Sequence, residues 1–408
     1  MFNKLVTRIL KRRHFWRYIG FAELAELYTS RMMRVLAMNM ITVLIAIFLY
    51  QNGYSVAFIA AYFALYFLLR AVCAAPTIYI IAWVGPKHAT LWGNVLYIPA
   101  LLFLWLAPEY GVPALAAALL FKAFSTTLYD ISYTVDFSKV KHAEHAGKEL
   151  GYMQIFEKVA TALSPLLGGA VAFLFGPQVT IILAALLFLI AAGPLFFTGE
   201  PLPVRQKVTF KALKVRHLWR NLIAEGAGAA SNEASNGSTW SLFILICILG
   251  TATNNAYLEI GALSAISLFA SLAISYVFGL LIDHRRGGEL LKLSTVGVSM
   301  LHVLRPFLPN PTAIAAMNAV SEVAVTGYKM PFMRGMFDEA DSKSGHRVLY
   351  LSAMNVATCI GAALANGALA LLALLYGEKD ALHLIFFGIA VISLLIATHG
   401  FRIYQRRR

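Results

Sequence analysis

Charge is scarce in this sequence. Asp, Glu, Lys and Arg make up 13% of its 408 residues, hydrophobic residues make up 59%, and the mean hydropathy is +0.70. Soluble domains carry about a quarter charged residues, so a soluble globular fold is excluded. Cysteine is scarce too. Cys73, Cys247 and Cys359 each fall inside an apolar run and no CxxC spacing occurs. That excludes a disulfide framework and a thiolate metal site, and leaves small apolar packing groups. HExxH, GxSxG, P-loop and DxD-like clusters are missing, and no nucleotide-binding domain is present. The chain therefore reads as neither an enzyme nor a primary pump, and no cofactor is expected. His142 and His145 have only Glu144 near them, so no metal site is expected. The start, MFNKLVTRILKRRHFWRY, lacks the apolar core and cleavage site of a secretory signal.

What is present is a succession of apolar runs. A membrane-spanning helix needs about 20 mainly apolar residues. Twelve such spans are expected, near 32–51, 56–84, 89–107, 113–135, 149–175, 179–198, 221–251, 257–282, 290–308, 312–335, 346–376 and 381–400. The turns between them hold Gly, Pro and Asn, as in QNGYS, APEYGVP, FGPQ and LPNPT.

Acidic charge is the rarer sign, with 20 Asp and Glu against 34 Lys and Arg. The surplus follows topology. With the N-terminus cytoplasmic, 26 Lys and Arg fall on the inner side and Lys379 alone on the outer side. This positive-inside split demands an even number of spans and explains the +14 net charge without nucleic acid. Residues 1–30 form a basic, aromatic lead-in, suited to anionic lipid or to anchoring the first span. Residues 199–220 are the longest polar connection and divide the chain into six-span halves. The halves are related: Val-Ala-Thr recurs at 159–161 and 356–358, each time followed by small residues. Two such repeats are expected to face each other across a central cavity.

Several spans carry a polar face at helical spacing. The second span holds Arg70. The fourth has Lys122, Ser125, Thr126, Tyr129, Tyr133 and Asp136, with Asp130 beside them. The fifth has Gln154, Glu157, Thr161, Ser164 and Gly168. The seventh has Glu225, Asn232, Glu233, Asn236 and Trp240; the tenth, Asn318, Glu322, Thr326 and Lys329; the eleventh, Ser352, Asn355, Cys359 and Asn366. At about 1.5 Å per residue, Lys122 and Glu157 come within about 5 Å of one level, so an ion pair between them is expected. A carboxylate at such depth must be paired, and it can exchange a proton for its partner. Glu157, Glu322 and Glu233 are thus candidates for proton coupling, with structural pairing as the alternative. Arg70, Lys122, Tyr129, Tyr133, Gln154, Asn232, Asn236, Trp240 and Asn355 are expected to line a substrate cavity. Asp130 and Asp136, nearer the cytoplasmic mouth, are expected to gate or cap.

Two motifs carry a family resemblance over essentially the whole chain. Gly279-Leu-Leu-Ile-Asp283-His-Arg285-Arg286-Gly287 resembles the cytoplasmic G-x-x-x-D-R-x-G-R loop of the major facilitator superfamily, in its second-half copy. The resemblance implies a gating role for Asp283, Arg285 and Arg286. The first-half copy is degraded to Ala82-Trp-Val-Gly-Pro-Lys-His88 and has no acid. Gly151, Ala160, Ser164, Pro165, Gly168 and Gly169 are similar to the fifth-helix motif of the family's proton-linked drug antiporters.

The fold this implies is an all-α polytopic membrane protein of twelve helices in two six-helix bundles. Its parts are a lead-in (1–30), a first bundle (31–198), a linker (199–220), a second bundle (221–400) and a basic tail (401–408). The function implied is proton-coupled secondary transport of a small organic solute by alternating access, with export favoured by the fifth-span motif. An uptake permease, a lipid flippase and a non-transporting sensor or scaffold remain alternatives. The expected partners are a small-molecule substrate, protons and membrane lipids, with no nucleic acid. A monomer in the plasma (inner) membrane, with both termini cytoplasmic, is expected.

Overall fold

A computed structural model describes residues 21–140, 146–196, 218–249, 274, 277–282, 286–342 and 346–405. The described residues are helical almost throughout, with no strand among them. The helices are α1 (Phe21–Gln51), α2 (Val56–Val84), α3 (Pro86–Val95), α4 (Tyr97–Trp105), α5 (Val112–Val140), α6 (Ala146–Phe175) and α7 (Pro177–Ala192). After the linker come α8 (Trp219–Asn236), α9 (Ser238–Phe243), α10 (Gly287–Leu304), α11 (Pro311–Asp341), α12 (Arg347–Tyr376), α13 (Glu378–Ser393) and a short α14 (Arg402–Gln405).

Eight segments are long and apolar enough to cross a membrane, matching the first six expected spans and the last two. The expected seventh and tenth spans, α8–α9 and α11, are helical but carry too many polar side chains to qualify on apolarity. The eighth lies mostly outside the described residues. The first helix begins inside the stretch read as a lead-in, so residues 21–30 continue directly into the first span. The third expected span is two helices, α3 and α4, joined at Leu96.

The helix ends follow from local chemistry. Ser55 caps α2 by accepting from the Phe58 N–H, and Asn310 caps α11 by accepting from Ala313, just before Pro311. Gly176 and Gly377 adopt φ of 87° and 86°, which a side chain would resist. Each turns the chain from a 30-residue helix into a 16-residue helix (α6 to α7, α12 to α13). This recurrence of lengths makes the relation between the halves explicit. It also places the two Val-Ala-Thr triplets about one turn out of register with each other.

Helix α1 packs on α6 and α7, and α5 packs on α2, α3 and α4; likewise α8 packs on α12 and α13, and α10 on α11 and α13. The seam between the two groups is formed chiefly by α2 running along α12. Two apolar cores hold it. One, at the Gly377 end, joins Leu49, Val56 and Ile59 to Phe243, Phe386 and Ile385. The other, at the Tyr404 end, includes the Phe137–Phe337 ring contact at 5.5 Å. At the Gly377 end Glu378 also accepts from the Val56 N–H (3.0 Å) and the Tyr50 hydroxyl (3.2 Å).

Candidate functional site

Between these apolar cores lies a chain of charges. Arg31 Nε donates to Glu157 Oε1 at 2.6 Å, and its Nη1 lies 3.6 Å from Asp130 Oδ1. The other Asp130 oxygen accepts from Arg70 Nη2 at 2.6 Å. Four helices, α6, α1, α5 and α2, are thereby tied in one alternating-sign line. Close packing sets the reach. A Cβ on Gly168 would stand 2.7 Å from the Met40 carbonyl oxygen, so α6 and α1 touch backbone to backbone there. The stacked rings of Tyr129 and Tyr133 support the line, with the Arg31 guanidinium 5.6 and 5.1 Å from their centroids. Arg34, fully buried, lies 3.9 Å from the Tyr129 centroid and donates to Gly93 O and Asn94 Oδ1.

The second set of charges crosses the seam. Lys158, next in sequence to Glu157, donates to Glu322 of α11. Successive helical residues point about 100° apart. Glu157 is therefore hydrogen-bonded within its own half, while also facing the charge of Lys329 on α11, and Lys158 bonds across to the other. At the midpoint of α2, Arg70 faces α12 and α8, and Glu233 on α8 is electrostatically coupled to both Arg70 and Lys122. The Lys122 ammonium lies over the rings of Tyr66 (4.7 Å) and Phe63 (5.6 Å).

On the α8 side the acids are held by neutral donors. Thr358 donates to Glu225 at 2.6 Å, and Asn366 to Glu233 at 3.4 Å. The seventh span breaks at Gly237, between α8 and α9. The break frees carbonyl groups, and Arg305 donates to two of them, Ala234 O (2.9 Å) and Ser235 O (3.3 Å), and to Ser321 Oγ. Trp240 stacks with this guanidinium at 4.2 Å and donates to Asn318 Oδ1.

Several expectations are corrected. Lys122 and Glu157 form no pair: Glu157 is bonded to Arg31, and Lys122 faces Tyr66 and Glu233. Equal depth fixes the level of a side chain and not its direction around the helix. Asp130 is a link in the interior line instead of a mouth residue, and Asp136 is fully buried. Tyr129 and Tyr133 are buried beneath arginines, and Trp240 is buried within the second half. Asn355 accepts weakly from the Cys359 thiol, and Asn236 donates to Asn232. Gln154 and Pro165 lie on α6 with Gly151. Ala160, Ser164, Gly168 and Gly169 are buried there, and Ser164 bonds back to the Ala160 carbonyl. Asp283 and Arg285 lie outside the described residues, as do His142 and His145; Arg286 is exposed at the start of α10.

Arg31, Arg34 and Arg305 escape the spacing argument. A signal for them exists: of the 34 Lys and Arg, the topological count leaves seven inside or at the edge of spans, and these three are among them.

A cleft of about 980 Å³ opens between α2, α8, α12 and α13, away from the charges. Its walls, such as Ile78, Ile223, Ile360 and Leu364, are apolar, and several face outward. It is a membrane-facing groove, and the polar chemistry lies deeper in the seam.

The sequence model of the Major Facilitator Superfamily matches residues 27–254. No curated protein sequence matches the chain. Among solved structures, the human organic anion transporter MFSD10 (TETRAN) superposes with a TM-score of 0.72 at 11% identity, covering 93% of this chain and 100% of that one. A variant of the E. coli fucose:proton symporter FucP superposes with a TM-score of 0.65 at 15% identity, covering 92% and 97%. At these identities the likeness establishes the fold, an all-helical multi-pass membrane architecture. With the family's sequence model matching more than half of its length, the chain belongs to the Major Facilitator Superfamily of transporters.

Proposed function

We propose that the protein carries a small organic solute across the membrane by alternating access, with protons as the coupling ion. The observation that carries this reading is the placement of titratable pairs across the seam: Lys158 with Glu322, and Arg70 and Lys122 opposite Glu233. A proton taken up by Glu322 removes its attraction for Lys158 and leaves α6 free to separate from α11. Glu233, held by the neutral Asn366, is the second candidate. Glu157 is bonded to Arg31 within its own half and meets the other half only through the charge of Lys329, so it serves the coupling less directly. Residues 31–198 and 221–400 are the units that rock, and the basic count supports a cytoplasmic position for the Tyr404 end and both termini. The small residues of the fifth-span motif pack on α1, which accounts for their size whichever way the solute moves.

The test uses liposomes holding the purified protein and a trapped pH dye. Pools of small solutes are added, and the active pool is resolved to one compound. Wild type should move protons only when that solute is present. Glu322→Gln and Glu233→Gln should lose solute-dependent proton movement. Proton movement unchanged in both variants would overturn the coupling assignment.

A further inference from the structure

We propose that the solute is a carboxylate on an apolar or aromatic body, and that Lys122 is its anchor. The inference rests on the transport reading and names the substrate class of the same seam.

Lys122 is set apart by what it lacks. It is 6% exposed, and its ammonium has no hydrogen-bond or ion-pair partner among the described residues. Each of the other cations within the spans discussed above has at least one hydrogen-bond or ion-pair partner, although Arg34, Arg70 and Arg305 keep an Nε–H unmet among the described residues. Arg31 has Glu157, Arg70 has Asp130, and Lys158 has Glu322. Arg34 and Arg305 have carbonyl groups or side-chain oxygens. An ammonium offers three donors, and holding them without protein acceptors in so enclosed a position is unfavourable. The faces of Phe63 and Tyr66 stabilise the charge but accept none of those hydrogens in the ordinary sense. A carboxylate supplies the missing acceptors, and the same two rings offer a wall for an apolar body.

The electrostatics select the sign. Around Lys122 stand Arg70 from α2 and Glu233 from α8, and Arg70 is already matched by Asp130. A cationic solute would meet Lys122 and Arg70 together. An anionic one competes only with Glu233. The groups facing Glu233 are Lys122 from α5, Arg70 from α2 and the Asn366 amide from α12. When Glu233 takes a proton, Lys122 loses its counter-charge and a substrate carboxylate replaces it. The net charge of the site is then the same as in the empty, ionised state. Anion and proton therefore enter together, and the loaded site moves no net charge.

The test measures thermal stabilisation of the purified full-length protein by matched pairs: benzoate and benzamide, phenylacetate and phenylacetamide, indole-3-acetate and indole-3-acetamide, octanoate and octanamide. At least one carboxylate should stabilise the wild type while its amide does not, and binding should be tighter near pH 6 than near pH 8. Lys122→Met should weaken that binding by about tenfold or more, whereas Lys122→Arg retains part of it. Glu233→Gln should keep the binding and lose its pH dependence. Amides binding as well as carboxylates, no carboxylate binding at all, or Lys122→Met binding unchanged would each overturn the proposal, and the amide comparison needs no variant to fold. Liposome transport separates the two readings. A carboxylate that binds but is never moved refutes transport and leaves the anchor, while transport confined to neutral or cationic solutes refutes the anchor alone.

Discussion

The two halves of the molecule hold opposite charge in different ways. The first half is rich in buried cations, and Arg31, Asp130, Arg70 and Glu157 satisfy one another within it. The second half is rich in acids, and Glu225 and Glu233 are held by a threonine and an asparagine. Charge–charge bonds make the first half stiff. Neutral donors leave Glu225 and Glu233 free to change protonation without breaking an ion pair of their own. The attraction that remains is between halves, where Lys158 meets Glu322 and where Lys122 and Arg70 look toward Glu233. Contacts within a half should therefore resist mutation, and contacts across the seam should govern transport more than stability.

The largest effect is expected where a half is packed most tightly. A Cβ on Gly361 of α12 would overlap the Gly226 carbonyl of α8. Gly361→Leu should destabilise the protein by about 3 kcal/mol, read as a lowered melting temperature or failure to accumulate in the membrane. Next comes the ion line. Arg31→Met leaves Glu157 and Asp130 without their shared cation and should remove about 2 kcal/mol, partly restored in the double variant Arg31→Met/Glu157→Met. A double variant as unstable as the sum of the singles would show that the line is not a unit. Across the seam, Lys158→Met leaves a single carboxylate, Glu322, which can take up a proton in place of its cation, so it should change stability by only about 1 kcal/mol yet abolish solute-driven proton movement. The charge-exchanged pair Lys158→Glu/Glu322→Lys should recover part of it. Loss of stability equal to that of Arg31→Met would erase the distinction between seam and interior. Smallest of all, Asn39→Ala removes an exposed 3.3 Å hydrogen bond to Thr161 within the first half and should shift stability by less than about 0.5 kcal/mol.

Much of the fold was legible in the sequence because turn chemistry is local. FGPQ became Gly176 and Pro177, and LPNPT became the Asn310 cap and Pro311. The positions of eight spans followed from apolar length alone. The partners of the charges were not legible. Spacing tells which residues share a face, and depth tells their level, but neither tells which neighbouring helix that face meets. Glu157 and Lys158 show the difficulty, since adjacent residues bond to different halves. Arg34 sits in a run of apolar neighbours and is stabilised by aromatic faces and carbonyls, partners that leave no charge pattern to read. The break at Leu96 did leave a signature, since Pro99 has no N–H to offer the Val95 carbonyl where α3 ends and Gly93 lies just before it, but an apolar-length map does not weigh such a signal inside a span.

The hydrogen bond from the Val56 N–H to Glu378 has a consequence for any parting of the halves at the Gly377 end. The first N–H groups of a helix have no partner in the helix itself. Here one of them, at the start of α2, is met by a side chain of the opposite half. Separation of the halves at the Gly377 end must expose that helix terminus to water and leave Glu378 to hydrate as well. Since water replaces both partners, this hydrogen bond favours closure by only about 1 kcal/mol, a factor of about five in population, and the apolar core at the same end supplies the rest. The polar part of the closure at the Gly377 end is thus a latch that water can replace, so it fixes how the two helix ends meet more than how firmly they are held.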